Sequence, residues 1–292
     1  MRFQPTTVQT LVARYDGLLL DAYGVLIDDT GPLPGAKAFL AMLRERRKAF
    51  VVVTNGSSRT PSDAASHYHD MGLKIDEHEI LSSGSVLADY LDEEGLRGQR
   101  TAVLGTSGSV AFASEAGAAI VDGARGDDFD ILVVANQGDY AFVPSIDAVF
   151  STICRQIDAG RAPRLILTNP DIIYPRGPGL FGVTAGAVAT MIEAALKARY
   201  GDAGTPQFVK LGKPFAPIFT AAKRRVGCSN VVMIGDQIAT DVVGALSSGI
   251  AAALIATGVS RINSLTWTPP ESLTGQVLPP LYLLEDLLPG PG

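Results

Sequence analysis

Short apolar runs recur along the chain, separated by longer stretches in which apolar residues return at helical spacing. The runs fall at residues 17–20, 50–53, 101–104, 131–135, 165–167, 231–234 and 251–255, each of strand length. Helical spacing marks residues 36–47, 145–159, 185–200, 214–226 and 239–247. Alternating strands and helices predict an α/β fold whose parallel sheets are covered on both faces. The run Val51-Val52-Val53 suits that doubly covered environment. A last short strand is expected near Tyr282, followed by a closing helical turn. Loop punctuation at Ser82-Ser83-Gly84 and at residues 201–206 brackets a segment with three strands of its own. The expected organisation is therefore a core of residues 1–81 and 207–292 with an inserted domain at 82–206.

With 292 residues, 47% hydrophobic and 18% charged, the chain is long enough for two domains and too apolar for disorder. Lys+Arg 24 against Asp+Glu 30 gives a net charge of −6, which argues against nucleic-acid or anionic-membrane partners. Any phosphate it binds needs a local cation. No apolar window reaches the length of a membrane span, and the first twenty residues lack a signal-peptide pattern; the expectation is a cytoplasmic protein. Cys154 and Cys228 stand far apart with no pairing or zinc pattern and read as buried thiols. His67, His69 and His78 are too scattered for a metal set and are expected to face solvent.

Ligands collect at the carboxyl ends of parallel strands, and three of the runs end there on polar residues. The first ends in Asp21, the second in Thr54-Asn55, the sixth in Gly235-Asp236. Each alone reads equally as a turn or capping residue. Asp21, followed by a turn-forming Gly24, is a carboxylate able to attack phosphorus when a metal ion and cationic donors neutralise the phosphoryl oxygens. Magnesium suits such oxygen donors, with Asp21 and Asp236 the expected carboxylates. The Thr54 hydroxyl, with the backbone N–H groups of Asn55, Gly56, Ser57 and Ser58, could hold a phosphoryl oxygen at a helix start, or Thr54 could be a plain N-cap. Lys213 in Gly212-Lys213-Pro214, before a helix whose first turn tolerates proline, reads as an inward ammonium or as an exposed turn lysine. In 235–241, Asp241 could brace a metal ligand at Asp236. The stretch 105–109 is an ordinary strand-to-helix turn.

The order and spacing of these groups resemble the haloacid dehalogenase superfamily, specifically its class IIA branch, similar to NagD and pyridoxal phosphatase. The resemblance covers nearly the whole chain. It rests on Asp21 with Gly24-Val25-Leu26, Pro34-Gly35-Ala36, Thr54-Asn55 with Arg59, Thr168-Asn169-Pro170-Asp171, Gly212-Lys213-Pro214, and Gly235-Asp236 with Thr240-Asp241. It implies a Rossmann-like core in two sequence pieces and an inserted α/β cap of the C2 type that selects the substrate. It also implies an Asp21 nucleophile, magnesium held by Asp21, the Tyr23 carbonyl and Asp236, and Asp241 bracing the site. Thr54 and Lys213 would grip the phosphoryl group, with Asn55, Gly56 and Ser57 beside it. By the same resemblance Tyr174, before Pro175, faces the substrate; packing within a cap loop is its other reading. A homodimer through the cap is a further implication.

One position departs from the pattern. Where the family places a second aspartate as general acid and base, this chain has Tyr23. A phenol with an unperturbed pKa near ~10 is a feeble donor at neutral pH, and such catalysis contributes about 10²–10⁴ in rate. Asp28 and Asp29 are the nearest deputies. The leading expectation is a magnesium-dependent phosphohydrolase of a small phosphorylated metabolite such as a sugar phosphate or nucleotide. Phosphoryl transfer from a substrate with a good leaving group is one alternative, and metal-dependent binding of such a metabolite without turnover is another.

Overall fold

The computed structural model of the chain describes residues 1–28, 30–177, 180–203, 205–256, 258, 260 and 265–288. The chain forms two units, one of Met1–Thr54, Pro61–Leu81 and Lys213–Gly292, the other of Asn55–Thr60 and Ser82–Gly212. The α/β class expected from the sequence is the class observed.

The first unit is built on a seven-stranded sheet in the spatial order Gln4–Thr6, Leu281–Leu284, Ala251–Ile255, Val231–Gly235, Gly17–Leu20, Ala49–Thr54, Ile80–Ser82. Pairing is parallel from Gln4–Thr6 through Ala49–Thr54. Leu18, Leu19 and Leu20 are 0% exposed, as a strand covered on both faces demands, and burying each such side chain is worth about 1.5–3 kcal/mol. From the central neighbours Gly17–Leu20 and Val231–Gly235 the chain winds outward in opposite directions. Loops at the carboxyl ends of two such strands diverge and leave a crevice, and Asp21 and Asp236 are the residues that follow them. The helices Ala36–Glu45 and Ala216–Val226 bury Phe39, Leu40, Leu43, Ile218 and Phe219.

The second unit has a five-stranded parallel sheet in the order Val209–Lys210, Arg164–Leu167, Ile131–Val134, Arg100–Leu104, Ala119–Val121. Its core gathers Phe129, Leu132, Val149, Ile153, Ile192 and Leu196, drawn in part from the helices Phe142–Asp158 and Ala185–Tyr200. The unit runs to Gly212 rather than to residue 206 because Val209–Lys210 pairs with Ile166 and Leu167. It also carries an antiparallel hairpin, Ile173–Gly177 with Leu180–Val183, that helical and strand periodicity did not announce. Near the C-terminus the strand Leu281–Leu284 forms, but residues 285–288 make no helical turn; the rest of that expected turn lies outside the described residues.

Cys154 is buried and Cys228 only partly so, both unpaired thiols; His69 and His78 are exposed and His67 half-buried. Among the described residues no helix is long and apolar enough to cross a membrane.

Candidate active site

The backbone ladder of the strand Gly17–Leu20 continues one residue beyond it, Asp21 N–H donating to the Ile234 carbonyl at 2.9 Å, so Asp21 is fixed by the sheet itself. Its Oδ1 accepts from the Ala22 N–H at 2.7 Å and lies 2.7 Å from Lys213 Nζ. The same ammonium donates to Asp241 Oδ1 at 2.7 Å. Lys213 is 3% exposed, Asp21 6%, and Asp236 and Asp241 0%. Lys213 is thus the inward ammonium, not an exposed turn residue. Pro214 sits two residues ahead of the helix, which starts at Ala216, rather than within its first turn.

Asp241 is presented by a single π-helical turn, Ile238–Val242, directly after the Asp236 turn. Such wide turns concentrate at functional sites because they re-aim a side chain without ending the helix. Asp241 Oδ2 accepts from the Gln237 N–H at 3.1 Å, closing the loop that carries both aspartates. Ser260 fastens it from outside: its N–H donates to the Asp236 carbonyl at 3.0 Å and its hydroxyl accepts from the Ile238 N–H at 2.9 Å. Sequence reasoning missed Ser260; a serine beyond a strand-ending loop was its only signal.

One oxygen from each of Asp21, Asp236 and Asp241 lies within 4.8 Å of the others. Three buried carboxyl groups thus share one buried ammonium. Burial, then the Asp241 carboxylate, push the Asp21 carboxyl well above the usual carboxylate range, with Lys213 opposing and Asp236 adding. Burial alone would discharge Lys213, but Asp21 and Asp241 outweigh it and raise the ammonium's pKa. A hard divalent cation is what this oxygen set lacks electrostatically. The backbone makes room accordingly: Gly24 has φ +78°, and a Cβ there would stand 2.2 Å from Asp236 Oδ2. Only glycine lets the 23–24 backbone lie against that carboxylate. The donor chemistry therefore fits magnesium.

The other expected residues are distributed as follows. Thr54 ends the strand Ala49–Thr54, half-buried. The next helix begins only at Pro61, so Thr54 is not an N-cap and residues 55–58 are not a helix start. Asn55, Gly56 and Ser57 group with the second unit: Asn55 Nδ2 donates to Asp171 Oδ1 at 2.9 Å and Ser57 Oγ donates to the Ala135 carbonyl at 2.5 Å. Gly56 is exposed. Tyr174 is 39% exposed on the hairpin, opposite Gly182, not packed into a loop. Tyr23 is 43% exposed. Asp28 accepts from the Thr30 N–H at 2.7 Å and its hydroxyl at 2.6 Å; these bonds hold its carboxyl below the usual range, so it stays ionised and is no proton donor. Asp29 lies outside the described residues. Thr106 caps the helix Ser107–Glu115, so the 105–109 stretch is the strand-to-helix turn expected.

The first unit is thus a doubly wound sheet with a buried carboxylate–lysine cluster at its switch point. The chain belongs to the haloacid dehalogenase-like hydrolase family. That family's model matches residues 18–119, and a HAD-hydrolase-like model matches 210–282. The chain is 32% identical over 244 residues to the dihydroxyacetone phosphatase of Corynebacterium glutamicum (strain R), covering 83% of this chain and 81% of that protein. It superposes with a TM-score of 0.80 on a possible sugar phosphatase from Cytophaga hutchinsonii, 26% identical, covering 98% and 99% of the two chains. NagD from Escherichia coli, 22% identical with a TM-score of 0.73 over 94% and 97% of the chains, shares the fold.

Proposed function

We propose that the chain is a magnesium-dependent phosphohydrolase of a small phosphorylated metabolite, a sugar phosphate foremost, working through an aspartyl-phosphate at Asp21. The observation that carries this reading is the buried contact of Lys213 with both Asp21 and Asp241, 2.7 Å to each. It keeps a cation beside the nucleophile, where phosphoryl charge must be neutralised. A relative named a dihydroxyacetone phosphatase supports the substrate class.

Asp21 and Asp236, with the Tyr23 carbonyl, would hold magnesium, and Asp241 would brace the loop that carries Asp236. When bound, the ion supplies charge neutralisation at the phosphoryl oxygens. Lys213 offers its ammonium to those oxygens, and Thr54 its hydroxyl, aided by the backbone of Asn55, Gly56 and Ser57. An Asp21 oxygen forms the new bond to phosphorus as the ester P–O bond breaks, and the leaving oxygen takes a proton from solvent water. Water then attacks the aspartyl-phosphate, releasing inorganic phosphate and regenerating the carboxylate. The second unit would act as the specificity domain, presenting Tyr174 to the substrate and, in a homodimer, a second copy. The cytoplasm is the compartment this chemistry suits.

With Tyr23 at the acid/base position and Asp28 tied to Thr30, protonation of an alkoxide is weakly supported. Sugar phosphates are then turned over slowly, and substrates whose leaving group departs without a proton, acyl phosphates and phosphoanhydrides among them, are turned over faster. The test is phosphate release with magnesium over a panel of sugar phosphates, aryl phosphates and acetyl phosphate, repeated on Asp21→Asn. Loss of about 10⁴-fold or more is expected; turnover that survives the substitution excludes the mechanism. Magnesium-dependent binding across the panel without release would instead identify a binding protein.

A further inference from the structure

Two of the four points at which the chain passes from one unit to the other fall on a peptide bond next to a residue of the phosphoryl site. One lies between Thr54 and Asn55, the other between Gly212 and Lys213. Within the second unit, Asn55 and Gly212 meet. A Cβ built on Gly212 would stand 2.6 Å from Asn55 Oδ1, 2.6 Å from Pro170 Cδ and 2.7 Å from the Thr168 carbonyl. The other end of the Asn55 amide donates to Asp171 Oδ1 at 2.9 Å, and the Asn55 carbonyl accepts from the buried Ser83 hydroxyl at 2.8 Å.

Asp171 is itself immobilised. Its N–H donates to Asn169 Oδ1 at 3.0 Å, and its carbonyl accepts from the Gly186 N–H at 3.0 Å, at the start of a sixteen-residue helix. Asn169 in turn donates to Thr184 Oγ1, the N-cap of that helix, at 3.1 Å. The strand leading to Gly212 is held as well, by the Leu211 N–H on the Leu167 carbonyl at 3.0 Å. None of Asn55, Asn169, Asp171 and Gly212 belongs to the second unit's apolar core among the described residues. The effect of their arrangement is to fix two backbone points, far apart in sequence, against one amide side chain.

We propose that Asp171 is a positioning residue for phosphoryl transfer: by seating the Asn55 amide against Gly212 it sets the register of Thr54 and Lys213, the residues covalently next to those two points. The inference rests on the phosphohydrolase reading above. Asp171 acts through Asn55 and the chain, on groups that grip the phosphoryl oxygens and not on the leaving group. Its loss therefore lowers turnover of every phosphate ester by one common factor. A residue that selects substrates would instead change KM from one ester to the next.

The test uses the full-length protein with magnesium, and two aryl esters of different leaving ability, p-nitrophenyl phosphate and phenyl phosphate. In Asp171→Ala, kcat is expected to fall between about tenfold and a hundredfold, the scale of a misplacement near 1 Å, by the same factor for both esters. Asp171→Asn, whose amide oxygen still accepts from Asn55, is expected to recover it. Gly212→Ala, which forces the Asn55 amide away, should reproduce the Asp171→Ala loss. Hydrogen–deuterium exchange supplies a readout independent of turnover: peptides covering residues 50–60 and 208–216 should exchange faster together in Asp171→Ala. A kcat loss that differs between the two esters, or no recovery in Asp171→Asn, overturns the positioning role. Unchanged exchange, or faster exchange in only one of the two peptides, overturns the clamp. Absence of turnover by the unmodified protein overturns the reading beneath it, a failure visible before any variant is made.

Discussion

The two units solve the same topological problem with opposite chemistry. Each has a parallel sheet whose carboxyl edge is a row of loops, and each fills that edge with polar residues. In the first unit the edge carries Asp21, Asp236, Asp241 and Lys213, ionic and nearly or wholly buried. In the second it carries Thr106, Asn136, Thr168 and Asn169, neutral groups that mostly answer one another or nearby backbone. Thr106 Oγ1 donates to the Ser58 carbonyl at 2.9 Å, Asn136 Oδ1 accepts from the Gly138 N–H at 2.9 Å, and Asn169 donates to Thr184. Neutral hydrogen bonds offset desolvation locally, pair by pair. Buried charges do not, and the surplus of carboxyl groups over ammonium at the first edge creates a demand that a bound proton or a further cation meets. Topology places ligands at strand ends; the charge imbalance says which end does chemistry.

The widest gap between the two edges should appear on removing the charge. Lys213→Met keeps the volume but leaves Asp21 and Asp241 facing each other without their shared ammonium. Turnover should drop by about 10²–10³-fold, the scale of deleting one preorganised donor. Urea unfolding at neutral pH should show a loss of about 3 kcal/mol. The sign with pH follows from the raised Lys213 pKa: its contribution is fully present below the ordinary lysine value. It fades on acidification as the Asp21 carboxyl, whose pKa is raised, takes up its proton, so wild type and variant should draw closer in acid. Equal stability of the two proteins at neutral pH would mean that the edge is not electrostatically organised.

Adding a charge sharpens the same contrast. Tyr23→Asp restores a carboxyl two residues after the nucleophile. If the remaining apparatus is competent, hydrolysis of an alkyl phosphate should rise by about 10²-fold, while p-nitrophenyl phosphate, whose leaving group needs no proton, gains little. The ratio of the two rates is the measurement, and an unchanged ratio would remove Tyr23 from the account of catalysis.

The charged edge was the more legible in the sequence. Asp21, Thr54 and Asp236 each terminate an apolar run of strand length, so periodicity alone put them at one sheet edge. The helix Ala185–Tyr200 and the strand Ala251–Ile255 also matched their patterns, because continuous burial writes itself as continuous hydrophobicity. What escaped was short or exposed. The strand Val209–Lys210 is two residues held by a neighbour's register. The hairpin at 173–183 exposes Ile173, Leu180 and Phe181, so no alternation of inside and outside marks it. The helix expected over 239–247 instead opens with a π-helical turn before Val243–Ser247, which keeps apolar spacing while shifting Asp241. The attachment of Asn55–Thr60 to the second unit depends on hydrogen bonds such as Ser109 Oγ to the Ser57 carbonyl, 2.7 Å, across fifty residues of chain that no local pattern connects.

Magnesium should separate the edges at a smaller scale. Because burial and Asp241 raise the Asp21 pKa, the folded, metal-free protein holds a proton above the pH at which the unfolded chain releases it. Its stability therefore declines as pH rises through the window between the ordinary and the raised carboxylate values. Magnesium competes for the same oxygens and displaces that proton. Thermal melts should show a magnesium-dependent rise of the midpoint, equivalent to about 2.7 kcal/mol at ~100-fold excess over Kd. The rise should shrink on acidification as protons reclaim Asp21, whose pKa is raised. A magnesium effect independent of pH would place the ion somewhere other than these carboxylates.

The smallest effect belongs to the neutral edge. Thr168 is 1% exposed, and among the described residues its hydroxyl has no hydrogen-bond partner. Replacing threonine by valine usually costs stability because a hydroxyl is lost from a bond. Here no bond is lost, and a buried unsatisfied oxygen, itself unfavourable by about 1–3 kcal/mol, is removed. Thr168→Val should therefore leave the unfolding free energy unchanged or raise it by about 1 kcal/mol, with turnover close to that of the parent. A loss near 2 kcal/mol instead would show that an ordered water completes the Thr168 hydroxyl. The second edge would then be a hydrated polar surface, and the contrast between the two sheets would lie in charge alone rather than in how completely each satisfies its own polar groups.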